Sequence, residues 1–383
     1  MVHPNVKFIR AVGMMIGAII GVGVFGLPYA FAQSGVGLGL LELLVLGGFL
    51  LTLQMMLGEV SIQTPGKHRL VSLVGMYIGK PWKWVAMLAM GLGIWGAMLA
   101  YMVVGGEFLF ILLSPIFGGS QFVYSYIVAL LACVMIYGGL RFASRVEIVV
   151  VGILLFLFLF IILVSIPEID AANYFTADFS KAFVPYGVIL FSAAGVGIIP
   201  EIKDVLGKKH KREMGPVILT SMTIILSLYA LFSIAVVGVS GAGTTQTAFE
   251  GLIAVLGGTF GIVATLLGAI TIISIYLVLG IELLNTFKFD FTMSHKMAWA
   301  LVCFVPILLY TLGVREFIGI IGFVGGVFGG ILSILIALSY WKMRRGPRCK
   351  KHHCVNFPAP LTWLIILLFS TGVVLQVVQV LVK

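Results

Sequence analysis

Apolar stretches of about 20 residues recur along the whole of this chain, and each is long enough as a helix to cross a hydrocarbon core about 30 Å thick. About eleven can be delimited: 8–33, 36–62, 82–113, 120–140, 144–166, 183–205, 215–240, 259–287, 296–313, 316–341 and 360–382. Lipid offers the backbone no hydrogen bonds, so each stretch must satisfy its amides internally, and the expected fold is an all-α membrane bundle. Only 10% of the 383 residues are charged, against about a quarter in a soluble domain. No long polar tail or soluble domain is evident in which a catalytic or signalling module could reside.

The formal net charge of +10 does not point to nucleic acid, because the cations are confined to alternate loops. Lys7 and Arg10 precede the first span. Lys67, Arg69, Lys80 and Lys83 follow the second, Arg141 and Arg145 the fourth, and Lys203, Lys208, Lys209, Lys211 and Arg212 the sixth. Lys288 and Lys296 follow the eighth, and the run from Lys342 to Lys351 follows the tenth. The positive-inside rule places these loops and the N-terminus in the cytoplasm and the C-terminus outside, in an inner or plasma membrane. A cleavable signal is the rival for the first span, since Ala30-Phe31-Ala32 resembles a cleavage box, but glycines interrupt its apolar core.

Those glycines form a pattern. Gly21-Val22-Gly23, followed by Pro28, interrupts the first span, and Gly195-Val196-Gly197, followed by Pro200, interrupts the sixth. Glycine is the weakest ordinary residue in a helix interior, so each site predicts a broken span. Unwound backbone at membrane depth survives where it lines a cavity, and matched breaks point to a secondary transporter's binding site. A half-helix N-terminus near Gly21 to Phe25 suits an anionic group. Carbonyls freed at Gly195 to Ile198 suit an amine, so the two breaks together fit an α-amino acid zwitterion. The competing reading is that the glycines only allow close helix packing, the reading preferred for Gly322, Gly325, Gly326, Gly329 and Gly330 in the tenth span.

With the breaks aligned, spans one to five lie over spans six to ten. An odd number of spans per half inverts the second copy, giving a five-plus-five inverted repeat: residues 1–166, residues 167–341, then a basic loop and eleventh span in 342–383. The short apolar stretch Phe249 to Leu256 cannot cross and is expected to be an extracellular cap or re-entrant helix.

The run Gly17 to Phe31 (GAIIGVGVFGLPYAF) resembles the first-span signature of the amino acid/auxin permease family, nearest to its bacterial aromatic and hydroxy amino acid permeases. Phe191 to Ile202 (FSAAGVGIIPEI) resembles that family's sixth span. The resemblance implies the leucine-transporter fold of the amino acid/polyamine/organocation superfamily, with discontinuous helices 1 and 6, and cation-coupled uptake of amino acids, aromatic or otherwise apolar. It also implies that Ile20, Gly21, Val22 and Gly23 bind the substrate carboxylate, and that Phe191, Ser192, Ala194 and Gly195 bind its amine and shape its side-chain pocket. Tyr101 in the third span is a wall or hydroxyl donor, with plain packing as its alternative.

Coupling to Na⁺ or H⁺ stays open at this level. In sodium-coupled relatives, eighth-span hydroxyls hold the ion, and Thr271 and Ser274 lie three apart on one helical face; such hydroxyls also commonly bond their own i−4 carbonyl. Some proton-coupled relatives use a fifth-span Lys, which is lacking between Val146 and Ile166. Ionisable groups inside spans are costly and functional by default, so Glu42, Glu107 and Glu282 are proton-relay or gating candidates. Glu59 and Glu201 sit near cytoplasmic ends, where pairing with loop cations is expected.

Cys133 and Cys303 fit ordinary buried packing, and no disulfide framework is expected. Cys349, His352, His353 and Cys354 supply four potential metal ligands, but their spacing fits no standard finger and lysines flank them, so no metal is assigned. No cofactor or obligatory protein partner is implied. An enzyme is disfavoured, since no span brings nucleophile and base together. An exchanger, or a non-concentrating channel or sensor on the same fold, is the alternative to a symporter.

Overall fold

A computed structural model describes residues 4–138, 143–175, 178–289, 291–346, 349 and 354–382. Helices occupy every apolar stretch. In chain order they are α1 (Pro4–Ile19), α2 (Gly23–Ser34), α3 (Val36–Gln63), α4 (Leu70–Tyr77), α5 (Lys80–Phe117), α6 (Gln121–Tyr137), α7 (Ala143–Ser165), α8 (Val184–Ala193), α9 (Ile199–Leu206), α10 (Met214–Ser240), α11 (Phe249–Leu256), α12 (Gly258–Phe289), α13 (His295–Thr311), α14 (Phe317–Phe323), α15 (Gly330–Arg345) and α16 (Ala359–Val382). Among the described residues, seven helices are long and apolar enough to cross a membrane, and α1 with α2, bent by 60°, make an eighth. The shorter apolar helices α6, α8 and α13 fill the remaining spans.

The first break falls at residues 20–22, where Gly21 and Gly23 remove the Cβ atoms that would crowd the turn. Beyond it, Val24 and Phe25 donate to the carbonyls of Gly21 and Val22, at 3.4 and 3.2 Å, restarting the helix as a tighter turn. Pro28 lies inside α2 rather than at the break. The sixth span breaks over residues 194–198, and Pro200 occupies the first turn of α9, where its missing N–H costs nothing.

The broken helices are central. α2 packs against α8 and α10, and α1 against α9 and α10. α8 in turn lies on a π-helical turn, Val324–Gly329, that joins α14 to α15. Glycines permit that approach: a Cβ on Gly187 would strike the Gly322 carbonyl, and one on Gly325 the Gly187 carbonyl. Gly326 and Gly330 face Gln376 and Val373 of α16, so the glycines of the tenth span serve two neighbours at once.

Two elements depart from sequence expectation. The loop after the second span contains α4, which buries Leu70, Leu73 and Val74. Cys349 and Cys354, for which no disulfide is expected from sequence, are bonded to each other, with Cα atoms 5.6 Å apart and thus within the reach of a disulfide. That bond occupies two of the four potential metal ligands, and His352 and His353 lie outside the described residues. Cys133 and Cys303 are buried free thiols.

Candidate functional site

The two breaks open onto one chamber of about 560 Å³, a size suited to a small-molecule ligand. Ile20, Gly21, Val22 and Gly23 line it from the first span, Phe191, Ser192, Ala194 and Gly195 from the sixth, and Tyr101 from α5. Aliphatic and aromatic side chains, among them Ile94, Phe191, Ile275, Leu279, Val324 and Phe328, make most of the remaining wall. Its polar side chains are few: Tyr101, Ser192, Glu201, Glu282 and Asn285.

At the first break, the amide of Val22 donates to the Tyr101 hydroxyl at 2.9 Å. The phenol oxygen is therefore an acceptor there, and its own proton remains free to point into the chamber. No acceptor within the described residues takes the N–H of Gly21 or Gly23, so these donors sit at the positive end of α2. Both glycines are sterically required. A Cβ on Gly21 would collide with the Tyr101 hydroxyl, and one on Gly23 would lie 2.6 Å from Ser192 Oγ and 2.7 Å from Phe191 Cδ1.

At the second break, the last carbonyls of α8 lose their helical partners. Two are recaptured by side chains. Tyr229 of α10 donates to the Ser192 carbonyl at 2.8 Å and lies 3.5 Å from the Ile19 carbonyl, bridging both broken spans. Gln54 of α3 donates to the Ala193 carbonyl at 3.2 Å. Backbone donors of residues 194–198 do not reach the carbonyls of Leu190 and Phe191, and both residues border the chamber. Ser192 spends its hydroxyl on the Val188 carbonyl at 2.7 Å. Gly195 is needed because a Cβ there would strike Ile19, whereas a Cβ on Gly197 would meet nothing within 4 Å.

Glu201, Glu282 and Asn285 lie together on the chamber wall. Arg69, just before α4, pairs there with Glu201 at 3.3 Å and Asp204 at 3.9 Å, the pairing with a loop cation expected of Glu201. Lys203 donates to the carbonyls of Thr64 and Gly66 at 2.8 and 2.7 Å, tying α9 to the end of α3. The other end is sealed. Phe25, three residues past the first break, meets Phe108, Phe249, Phe158 and Phe232 with ring centroids 5.3–6.4 Å apart. All five rings are essentially fully buried. Phe249 comes from α11, the non-crossing stretch anticipated as a cap, so this helix contributes the plug.

The remaining candidates lie elsewhere. Thr271 and Ser274 bond the carbonyls of Leu267 and Ile270 at 2.9 and 2.8 Å, and neither belongs to the chamber wall. Glu42 borders a separate apolar groove with Leu41, Leu46, Phe183 and Tyr186. Glu107 accepts a hydrogen bond from Thr247 in the loop before α11, beyond the aromatic seal. Sequence reasoning missed Gln54 and Tyr229. A signal was present for Gln54, a lone amide within an otherwise apolar stretch of α3; Tyr229 is one of many aromatics.

Over 363 residues the chain is 25% identical to a protein named tyrosine-specific transport system 1 of Haemophilus influenzae, covering 88% of this chain and 89% of the relative. The solved structure of MhsT in complex with L-phenylalanine superposes with a TM-score of 0.68 at 15% identity, covering 97% of each chain, which shows the leucine-transporter-like fold. The model of the tryptophan/tyrosine permease family matches residues 5–379. This chain, a multi-pass amino acid permease and not an enzyme, belongs to the tryptophan/tyrosine permease family.

Proposed function

We propose that the protein is a cation-coupled symporter of aromatic amino acids that works by alternating access. The observation that carries this reading is the meeting of two half-helix ends in one chamber, one offering the N–H groups of Gly21 and Gly23 and the other the carbonyls of Leu190 and Phe191. A zwitterion satisfies both ends, carboxylate toward Ile20 to Gly23 and Tyr101, ammonium toward Phe191 to Gly195. The apolar remainder of the wall takes a large apolar side chain. The names of the relative and of the phenylalanine complex support the same substrate class.

The sealed end and the end that holds Glu201 are the two gates that alternating access requires. In this reading the end that holds Glu201 faces the cytoplasm, where Arg69 and Lys203 follow the positive-inside pattern, with the N-terminus inside and the C-terminus outside. Residues 1–166 and 167–341 act as inverted five-helix repeats, with residues 342–383 outside them, and the family sits within the amino acid/auxin permease branch of the wider superfamily.

Uptake of labelled L-tyrosine into cells or proteoliposomes, competed by a panel of amino acids, tests this function. Inhibition by tryptophan and phenylalanine but not by aspartate or lysine is expected; equal inhibition by all would remove the aromatic assignment. Accumulation against a gradient separates a symporter from a channel or sensor.

A further inference from the structure

Resting on the transport reading above, we propose that Phe328, set into the chamber wall by the π-helical turn of the tenth span, is the residue that selects for an aromatic substrate side chain.

The aromatic side chains on the described chamber wall are Tyr101, Phe191 and Phe328. The first two are committed. The Tyr101 hydroxyl accepts from the Val22 amide. Phe191 is wedged between glycines, since a Cβ on Gly23 would lie 2.7 Å from its Cδ1 and one on Gly325 would lie 2.8 Å from its Cβ. Phe328 is different. It is only partly buried, and among the described residues the ring that meets it is that of Phe323, edge to face with centroids 5.6 Å apart. The five rings of the plug, which serve packing, are by contrast essentially fully buried.

Backbone geometry places the ring. The turn Val324–Gly329 is π-helical, a form that recurs at functional sites, and Val324, Gly325, Phe328 and Gly329 all border the chamber. This turn runs antiparallel to α5: a Cβ on Gly96 would strike Val324, and one on Gly93 would lie 3.8 Å from Phe328 Cβ. Phe328 therefore stands level with Gly93, which precedes Tyr101 by eight residues, about 12 Å along the helix axis. Helical side chains lean toward the N-terminus of their own helix, so Phe328 and Tyr101 lean toward each other across a gap shorter than that. Gly93 adds no side chain to this gap, and Ala97 adds only a methyl group.

A zwitterion held at the two breaks lies beside Tyr101 and must project its side chain into the gap. An aromatic side chain spans it and brings its ring against Phe328. Valine or leucine stops short and leaves the Phe328 ring without a partner. A well-placed ring pair gains about two- to tenfold in affinity beyond the area that it buries, which favours aromatic over aliphatic substrates of similar apolarity.

The test is counterflow of labelled L-tyrosine in proteoliposomes that hold the full-length protein, with inhibition constants for phenylalanine, tryptophan and leucine. Phe328→Leu keeps an apolar side chain and removes the ring. Inhibition by phenylalanine and tryptophan should weaken by about tenfold in this variant while inhibition by leucine changes little. Phe328→Tyr keeps the ring and should retain the wild-type order. Phe328→Trp enlarges it and should shift the preference from tryptophan toward phenylalanine. An unchanged ratio of aromatic to leucine inhibition in Phe328→Leu overturns the proposal. Equal weakening for all three, up to loss of counterflow in a monodisperse protein, also overturns it, since the ring would then serve packing and not selection. Should Phe328→Leu fail to fold, Phe328→Trp decides, an unshifted preference between phenylalanine and tryptophan overturning the proposal. Absence of saturable counterflow in wild type would instead refute the transport reading itself.

Discussion

Tyr101 and Val22 are joined across the first break by a 2.9 Å hydrogen bond in which the phenol oxygen accepts from the backbone amide. The bond engages an amide of the unwound segment that has no backbone acceptor, and it leaves the phenol proton for a ligand. Tyr101→Phe removes both functions while keeping the ring. The cost of an unpaired polar group is about 1–3 kcal/mol, so the apparent affinity for tyrosine should fall by about tenfold or more with the protein still inserted. Initial-rate uptake kinetics provide the measurement; an unchanged KM would remove Tyr101 from the site.

The glycines of the second break make a contrast within three residues. Gly195→Ala drives a methyl group into Ile19, whereas Gly197→Ala meets open space. Transport should be strongly impaired in the first variant and close to wild type in the second. Equal impairment would mean that both positions need backbone freedom, not space.

Tyr229 and Gln54 donate hydrogen bonds to the carbonyls of Ser192 and Ala193 at the end of α8. Tyr229→Phe and Gln54→Leu should each destabilise the protein by about 1–2 kcal/mol and weaken substrate binding, because the end of α8 loses a fixed position. Thermal unfolding in detergent, with and without tyrosine, reads both effects. Wild-type melting and binding in both variants would show the break to be self-supporting.

The aromatic seal depends on Phe249, and the Cβ-bearing residue before it, Ala248, holds φ at 69°. Phe249→Ala should disfavour the sealed state by about 3–5 kcal/mol, the range for truncating a buried phenylalanine. A membrane-impermeant thiol reagent applied from the sealed side should then reach a cysteine placed at position 197, which wild type protects. Ala248→Gly relieves a left-handed conformation costing about 1–2 kcal/mol and should make the seal more persistent. Unaltered labelling in Phe249→Ala would place the seal elsewhere.

Much of this architecture is legible in the sequence because membrane insertion is set by local rules. A continuous apolar stretch must become a helix, and Gly-Val-Gly must weaken one, so the breaks could be named from the residues themselves, while Ile20 to Gly23, Tyr101, Phe191, Ser192, Ala194 and Gly195, named through the family resemblance, all line the chamber. What could not be named depends on contacts between distant segments. Tyr229 reaches Ser192 across 37 residues and Gln54 reaches Ala193 across 139, and no local pattern records such pairings. The plug is half visible: Phe249 to Leu256 is too short to cross, but only packing shows that Phe249 meets Phe25. α4 is hidden because eight residues beside a cationic loop carry too little periodicity to stand out. Pro28 misleads for a different reason. It lies within α2, and the glycines alone account for the break.

The central claim is that the chamber between the two breaks holds the amino acid. Counterflow of labelled L-tyrosine in proteoliposomes, comparing wild type with Gly21→Leu, tests it most directly, because Gly21 lines the chamber and its side-chain space is occupied by the Tyr101 hydroxyl. The account predicts saturable exchange stimulated by internal tyrosine, tryptophan or phenylalanine in wild type, and none in a Gly21→Leu protein that is inserted and monodisperse. Wild-type exchange by Gly21→Leu would contradict it.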